Sequence, residues 1–128
     1  ALGKLLMIGL GGCLGSVARY LLSELVQSLS RNLPFPFGTL IVNVVGCLLI
    51  GFLTQFLEGR SALGTEARLF LFVGLLGGFT TYSTFGKETM HLFKDGEHLL
   101  AFGNVVAQIV LGVGAAWIGH LAALAMSR

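Results

Sequence analysis

Charge is scarce in this sequence. Asp, Glu, Lys and Arg make up 11% of its 128 residues, against about 25% in a typical soluble domain. A water-facing surface cannot be covered with so few charges. With 55% hydrophobic residues and a mean hydropathy of +0.87, the chain reads as an all-α integral membrane protein of one compact domain, residues 1–128. The formal net charge of +2 is small and scattered, which excludes a nucleic-acid-binding surface. Proline occurs twice, at Pro34 and Pro36, so long helices are free to run elsewhere. The two cysteines, Cys13 and Cys47, sit in apolar runs without metal-ligand spacing, and both are expected to be buried free thiols. There is no HExxH, no Cys/His cluster, no Walker loop and no Ser/His/Asp grouping, so the sequence supports neither metal nor nucleophilic catalysis and does not read as an enzyme. The first apolar run lacks a small-residue cleavage pattern and is expected to stay as a span.

Glycine, by contrast, is abundant, with 19 residues. Small residues let membrane helices approach closely where lipid gives no hydrophobic drive to associate. The most unusual stretch is Gly77-Gly78-Phe79-Thr80-Thr81-Tyr82-Ser83-Thr84-Phe85. It lies inside an apolar run from about Leu69 to Phe93, long enough for a bilayer crossing of about 20 residues. Two glycines weaken a helix, and the hydroxyls that follow supply donors for freed backbone groups. Irregular backbone at membrane depth is tolerated only where protein or water covers it, and it is then a place to bind ions. The same residues also suit a closely packed Gly/Thr helix face. The sequence predicts a third span broken mid-membrane at the Gly-Gly pair.

Three more spans are predicted. The first runs about Lys4 to Leu29 and carries a small-residue stripe, Gly9, Gly12 and Ser16, leading to Arg19. An arginine inside a span costs at least about 2.5 kcal/mol, so it needs a carbonyl cluster, a partner, water or the reach to snorkel. The second runs about Phe37 to Leu57. Thr39, Asn43, Cys47 and Gly51 share one slowly drifting face. The Asn43 amide is either helix glue or a ligand, since leaving it unpaired costs about 1–3 kcal/mol. After the break, Ser83, Thr84 and Glu88 form a polar edge that reads as a wet path or as a solvated helix end. The fourth span runs about Leu99 to Met126, with Asn104 and Gln108 one turn apart and Gly112 continuing that face.

Four spans put both ends of this sequence on one side. Lys4, Arg60, Arg68 and Arg128 then fall on that side; Arg31, Lys87 and Lys94 fall on the other, and Arg19 lies within the membrane. Orientation follows Lys/Arg imbalance, and here there is almost none. Insertion in both orientations is expected, with the loop bearing Ser61 reachable from either side. Four helices alone also leave little room for a pore, so an oligomer is expected.

In its motifs the chain resembles the Fluc (CrcB) fluoride channels. The likeness rests on Gly11-Gly12-x-x-Gly15-x-x-x-Arg19-Tyr20, then Phe37-Gly38-Thr39-Leu40-x-Val42-Asn43-x-x-Gly46, then the nine-residue stretch beginning at Gly77. Each motif is weak alone, and the three in this order are strong. The resemblance implies a dual-topology, antiparallel homodimer in a bacterial inner membrane, with two fluoride pores. It implies a sodium ion at the dimer centre, held by the backbone carbonyls of Gly77 and Thr80. It implies pores lined by Asn43, Tyr82 and Phe85, a polar path of Ser83, Thr84 and Glu88, and a vestibule near Arg19. Asn104 and Gln108 fall on the pore face of the fourth span. Two departures stand out: the family usually has Phe where Tyr82 stands, and often Ser, Thr or Tyr along the fourth span. A proton-coupled small multidrug exporter also has four spans, but needs a carboxylate deep in the membrane, where the first span carries Arg19. A packing subunit of a larger complex is the third reading.

Overall fold

The computed structural model describes residues 1–60 and 63–127. Ser61 and Arg128, both used in the topology argument, lie outside the described residues. Every regular element among the described residues is helical: α1 Leu2–Leu29, α2 Phe37–Phe56, α3 Thr65–Arg68, a π-helical stretch Leu69–Leu76, α4 Gly77–Phe79, α5 Tyr82–Lys94 and α6 His98–Met126. Four stretches are long and apolar enough to cross a membrane: Leu2–Leu29, Phe37–Phe56, Thr65–Lys94 and His98–Met126. The loop around Pro34 and Pro36 ends the first, and Gly96, at φ 80°, turns the chain into the last.

The spans pack as two parallel pairs. A Cβ on Gly11 would strike Phe70 and Leu75, and one on Gly15 would strike Leu75 and Phe79, so α1 and the first half of the third span advance together. In the other pair Asn43 meets Gln108, Gly112 faces Cys47, and Gly51 faces Ala116. These pairs hold one register along parallel α2 and α6. The α2–α6 seam is close because Gly51 and Gly119 sit directly on backbone of the facing helix. The third span links the pairs: its first half lies on α1, and α5 crosses to α6. Large apolar side chains such as Leu5, Leu21 and Ile118 are 65%, 61% and 61% exposed, as a lipid-facing surface requires.

Three expectations change. The helix does not break at Gly77-Gly78; it runs through both, and the chain turns extended only at Thr80 (φ −86°, ψ 158°) and Thr81 (φ −149°, ψ 115°). Gly78 is needed for packing instead, since a Cβ there would lie 2.8 Å from the Gly12 carbonyl oxygen. The α1 stripe is centred on Gly11 and Gly15 rather than on Gly9, which has open space around it. Cys13 is exposed because it points away from that stripe; Cys47 is half-buried, and both are free thiols.

Candidate functional site

The break at Thr80–Thr81 is the centre of the polar structure. In an uninterrupted helix the Thr81 N–H would bond to the Gly77 carbonyl. Here it donates to Asn43 Oδ1 at 2.8 Å, and Asn43 Nδ2 donates back to the Thr81 carbonyl at 3.0 Å. The side-chain amide of α2 thus pairs with both backbone groups of the irregular residue, as a neighbouring strand would. The Thr81 hydroxyl caps α5 by accepting from Thr84 N at 3.1 Å, and donates to Thr84 Oγ1 at 3.0 Å. Thr80 folds its own hydroxyl back onto the Leu76 carbonyl at 3.0 Å.

These substitutions release carbonyls. Gly77 O loses its helical donor to Asn43, and Thr80 O loses its donor, Thr84 N, to the Thr81 cap. Gly78 O, between them in sequence, accepts from Arg19 Nε at 3.0 Å. Arg19 therefore meets the carbonyl end of a helix, which meets the cost of placing it inside the span. It also lines a small cavity of about 80 Å³ with Ser23, Thr39, Thr81 and Thr84. Gly77 and Thr80 border a separate groove of about 230 Å³, reached by Asn43, Gly46 and Phe72. A sodium ion fits this donor set. Such a hard cation takes oxygen ligands, two carbonyls here have lost their helical donors, and no acidic side chain lines the groove.

On the other side of Asn43 lies a groove of about 350 Å³ lined by Asn43, Thr81, Tyr82, Phe85, Gln108 and neighbouring small and aliphatic residues. The Tyr82 and Phe85 rings meet edge-to-face, with centroids 5.6 Å apart at 63°. Gln108 Oε1 accepts from Asn43 Nδ2 at 3.0 Å. Asn104 is fully buried, and its Nδ2 donates to Thr89 Oγ1 at 3.0 Å. Sequence reading missed Thr89, which donates onward to the Phe85 carbonyl at 2.8 Å. Its signal was a hydroxyl on the same face as Phe85, one turn on. Glu88 lies beside Thr39 and, with Ser23, His91 and Asp95, lines a fourth cavity of about 350 Å³ at the end of the bundle. Ser83 is exposed and Thr84 half-buried. The structure thus gathers Asn43, Thr80, Thr81, Tyr82, Phe85 and Gln108 at one groove and Gly77 at a second that shares Asn43 and Thr80 with the first, and it sets Glu88 and Arg19 apart from both. Among the described residues, three buried side-chain polar atoms have no partner: Glu88 Oε1, Asn104 Oδ1 and Gln108 Nε2.

The sequence pattern of the family described as "CrcB-like protein, Camphor Resistance (CrcB)" matches residues 6–120. This chain belongs to the CrcB family. Among similar proteins, one from Opitutus terrae named "Fluoride-specific ion channel FluC" is 48% identical over 124 residues, covering 95% of this chain and 93% of the relative. A protein of the same name from Dehalococcoides mccartyi is 42% identical over 118 residues, covering 92% and 90%. Another from Methylocella silvestris is 40% identical over 125 residues, covering 96% and 95%. The match spans all four apolar stretches, so no segment of the site lies outside it.

Proposed function

We propose that this CrcB-family protein is a passive fluoride-specific ion channel that lets fluoride leave the cytoplasm, and is not an enzyme. Its single channel domain spans a bacterial inner membrane, and two copies assemble as an antiparallel, dual-topology homodimer. The observation that carries the reading is the paired amide and broken helix at Asn43 and Thr81, in a chain matched along its length by proteins named as fluoride channels.

The chemistry follows from the ion. Fluoride is small and tightly hydrated, so a path must replace water donors as they leave. Neutral amides, hydroxyls and the positive edges of aromatic rings do this without a fixed cation that would trap the ion. Conduction needs sites weak enough to release what they bind. Asn43, Tyr82, Phe85, Asn104 and Gln108 supply the central stretch. Ser83, Thr84 and Glu88 continue it along α5. Arg19, engaged on the Gly78 carbonyl, gives the vestibule a positive bias without standing free in the path. Gly77 and Thr80 carbonyls would hold the sodium ion, whose charge lowers the cost of bringing an anion into the bilayer.

Efflux from proteoliposomes tests the reading. Fluoride release without a proton gradient, and far slower chloride release, is expected. Drug-driven proton movement would replace the channel by an exporter, and silence would leave a packing subunit. Dual topology is tested separately with Glu58→Cys in protein otherwise free of cysteine. Glu58 is exposed at the end of α2, and labelling from both sides of the membrane is expected. Labelling from one side only removes the antiparallel dimer.

A further inference from the structure

Two runs of hydrogen bonds start on the backbone of α5 and its cap, and each has a fixed direction. The first starts at a donor. Thr81 N–H can only donate, so Asn43 turns Oδ1 to it, at 2.8 Å. Nδ2 of the same amide donates to Gln108 Oε1 at 3.0 Å, which leaves Gln108 Nε2 on the other side of its amide. The second run starts at an acceptor. Phe85 O can only accept, and Thr89 gives it its one hydroxyl proton, at 2.8 Å. Thr89 Oγ1 then has only lone pairs to offer, so Asn104 must present Nδ2 to it, at 3.0 Å. The two runs approach each other on α6. One ends in a donor, Gln108 Nε2, and the other in an acceptor, Asn104 Oδ1; both atoms are buried and without a partner. Had either run the opposite sense, two donors or two acceptors would face each other. The two residues are one turn apart, the spacing at which side-chain amides on a helix bond to one another. A buried donor and a buried acceptor left apart cost more than the side-chain rotation that joins them.

We propose that Gln108 donates to Asn104, and that this bond closes a head-to-tail relay, Thr81–Asn43–Gln108–Asn104–Thr89–Phe85, which fixes the start of α5 against α2 and α6. The relay leaves the backbone at Thr81 and returns to it at Phe85. Its ends therefore bracket Tyr82 and set the angle at which the Tyr82 and Phe85 rings turn their edges to the groove. Asn104 is fully buried and is not among the residues lining that groove. It serves the path as a positioning residue, through Thr89 and the Phe85 carbonyl. Thr89 is the second positioning residue, and it is buried with Asn104. Hydrogen bonds in a chain polarise one another, so a change at one end is felt along it. The positioning role rests on the fluoride-channel reading above; the relay itself does not.

The test uses full-length protein in lipid nanodiscs, with nitrogen-15 in its Asn and Gln side chains. In the wild type the Gln108 Nε2 hydrogens should exchange with deuterium at least about tenfold more slowly than those of Asn32, which is exposed in the loop after α1. Thr89→Val keeps the side chain's shape and removes its hydroxyl. It should move the Gln108 Nε2 signals, although Asn104 stands between the two residues. In liposomes the same variant should lose at least about fivefold in fluoride flux, as expected where a neutral hydrogen bond holds the ring in place. Thr89→Ser returns the hydroxyl and should restore both the Gln108 signals and the flux. Rapid exchange at Gln108 Nε2 in the wild type would overturn the relay. So would Gln108 signals that ignore Thr89→Val. Equal loss of flux in Thr89→Val and Thr89→Ser would overturn the positioning role and leave Thr89 with packing alone. The wild-type exchange measurement needs no substitution, so poor folding of a variant does not blunt it. Failure of the wild type to release fluoride would sink the channel reading, while slow exchange at Gln108 would still stand.

Discussion

The two halves of the third span are built on opposite plans. The half before the break, Leu69–Phe79, is apolar, passes through a π-helical stretch and lies against α1 on glycine contacts. It ends in carbonyls: one is taken by Arg19, and two have lost their helical donors. The half after it, Tyr82–Lys94, is amphipathic, begins in N–H groups capped by Thr81, and reaches α6 through Thr89 and Asn104. A helix end rich in carbonyls favours cations, and one rich in N–H groups favours anions. Two extended residues between them bring ends of opposite character to the same depth. On the proposed reading one span would serve both a sodium ion and fluoride, with no acidic side chain lining the groove of Gly77 and Thr80.

The comparison predicts that the first half is sensitive in stability and the second in transport. Gly15→Val should have the largest effect. Its side chain would run into the Leu75 carbonyl and approach Phe79 N, where a Cβ alone would already lie 2.9 Å away. Overpacking of a tight interior costs about 1–3 kcal/mol, and more against backbone. Loss of folded protein after mild heating, followed by size exclusion, is expected. Ser83→Ala, on the exposed start of α5, should leave thermal stability at the wild-type level. Equal melting of both variants would erase the distinction between the halves.

Next in size is Phe85→Ile. An aliphatic side chain of similar bulk keeps the groove filled but has no positive edge for an anion. Fluoride flux should fall steeply while the protein stays folded. A fully active variant would remove aromatic coordination from the second half altogether. A smaller effect is expected from sodium replacement. Exhaustive exchange into a large organic cation should lower fluoride flux, because the freed Gly77 and Thr80 carbonyls would lose their ligand. Unchanged flux would leave the first half with a packing role only.

How much of this was legible in the sequence follows from what each residue reports. The spans were visible because bilayer thickness imposes a length and composition that need no knowledge of neighbours. The break was visible as a region but not as a position. Gly77-Gly78 looks like a helix breaker in isolation; what Gly78 serves instead is the close approach of Gly12 on another span, which no local pattern shows. The turn falls at Thr80–Thr81 because Asn43 satisfies Thr81 from 38 residues away. Arg19 was legible as needing a partner, since its cost is local, while its acceptor, Gly78 O, was not. The Asn104–Gln108 pair was readable as one face, yet which amide atoms remain free depends on Asn43 and Thr89.

The smallest expected effect is that of Tyr82→Phe, and it decides what the second half offers the ion at its first residue. Tyr82 is 84% exposed in the single chain. Its ring meets Phe85 edge-to-face, and a phenylalanine ring keeps that geometry and the same positive edge. The hydroxyl joins no hydrogen bond among the described residues, and Asn104, an expected neighbour for it, is instead bonded to Thr89. If the ring edge carries the contact, Tyr82→Phe conducts at nearly the wild-type rate while Phe85→Ile does not. If the hydroxyl were an obligatory ligand, the same substitution would cripple flux, by at least about tenfold for a lost bond to an anion. Efflux from the two variants side by side, with size exclusion confirming equal amounts of folded protein, separates these outcomes. Near-normal flux through Tyr82→Phe assigns fluoride contact here to aromatic edges, with hydroxyl groups acting only from Ser83 onward.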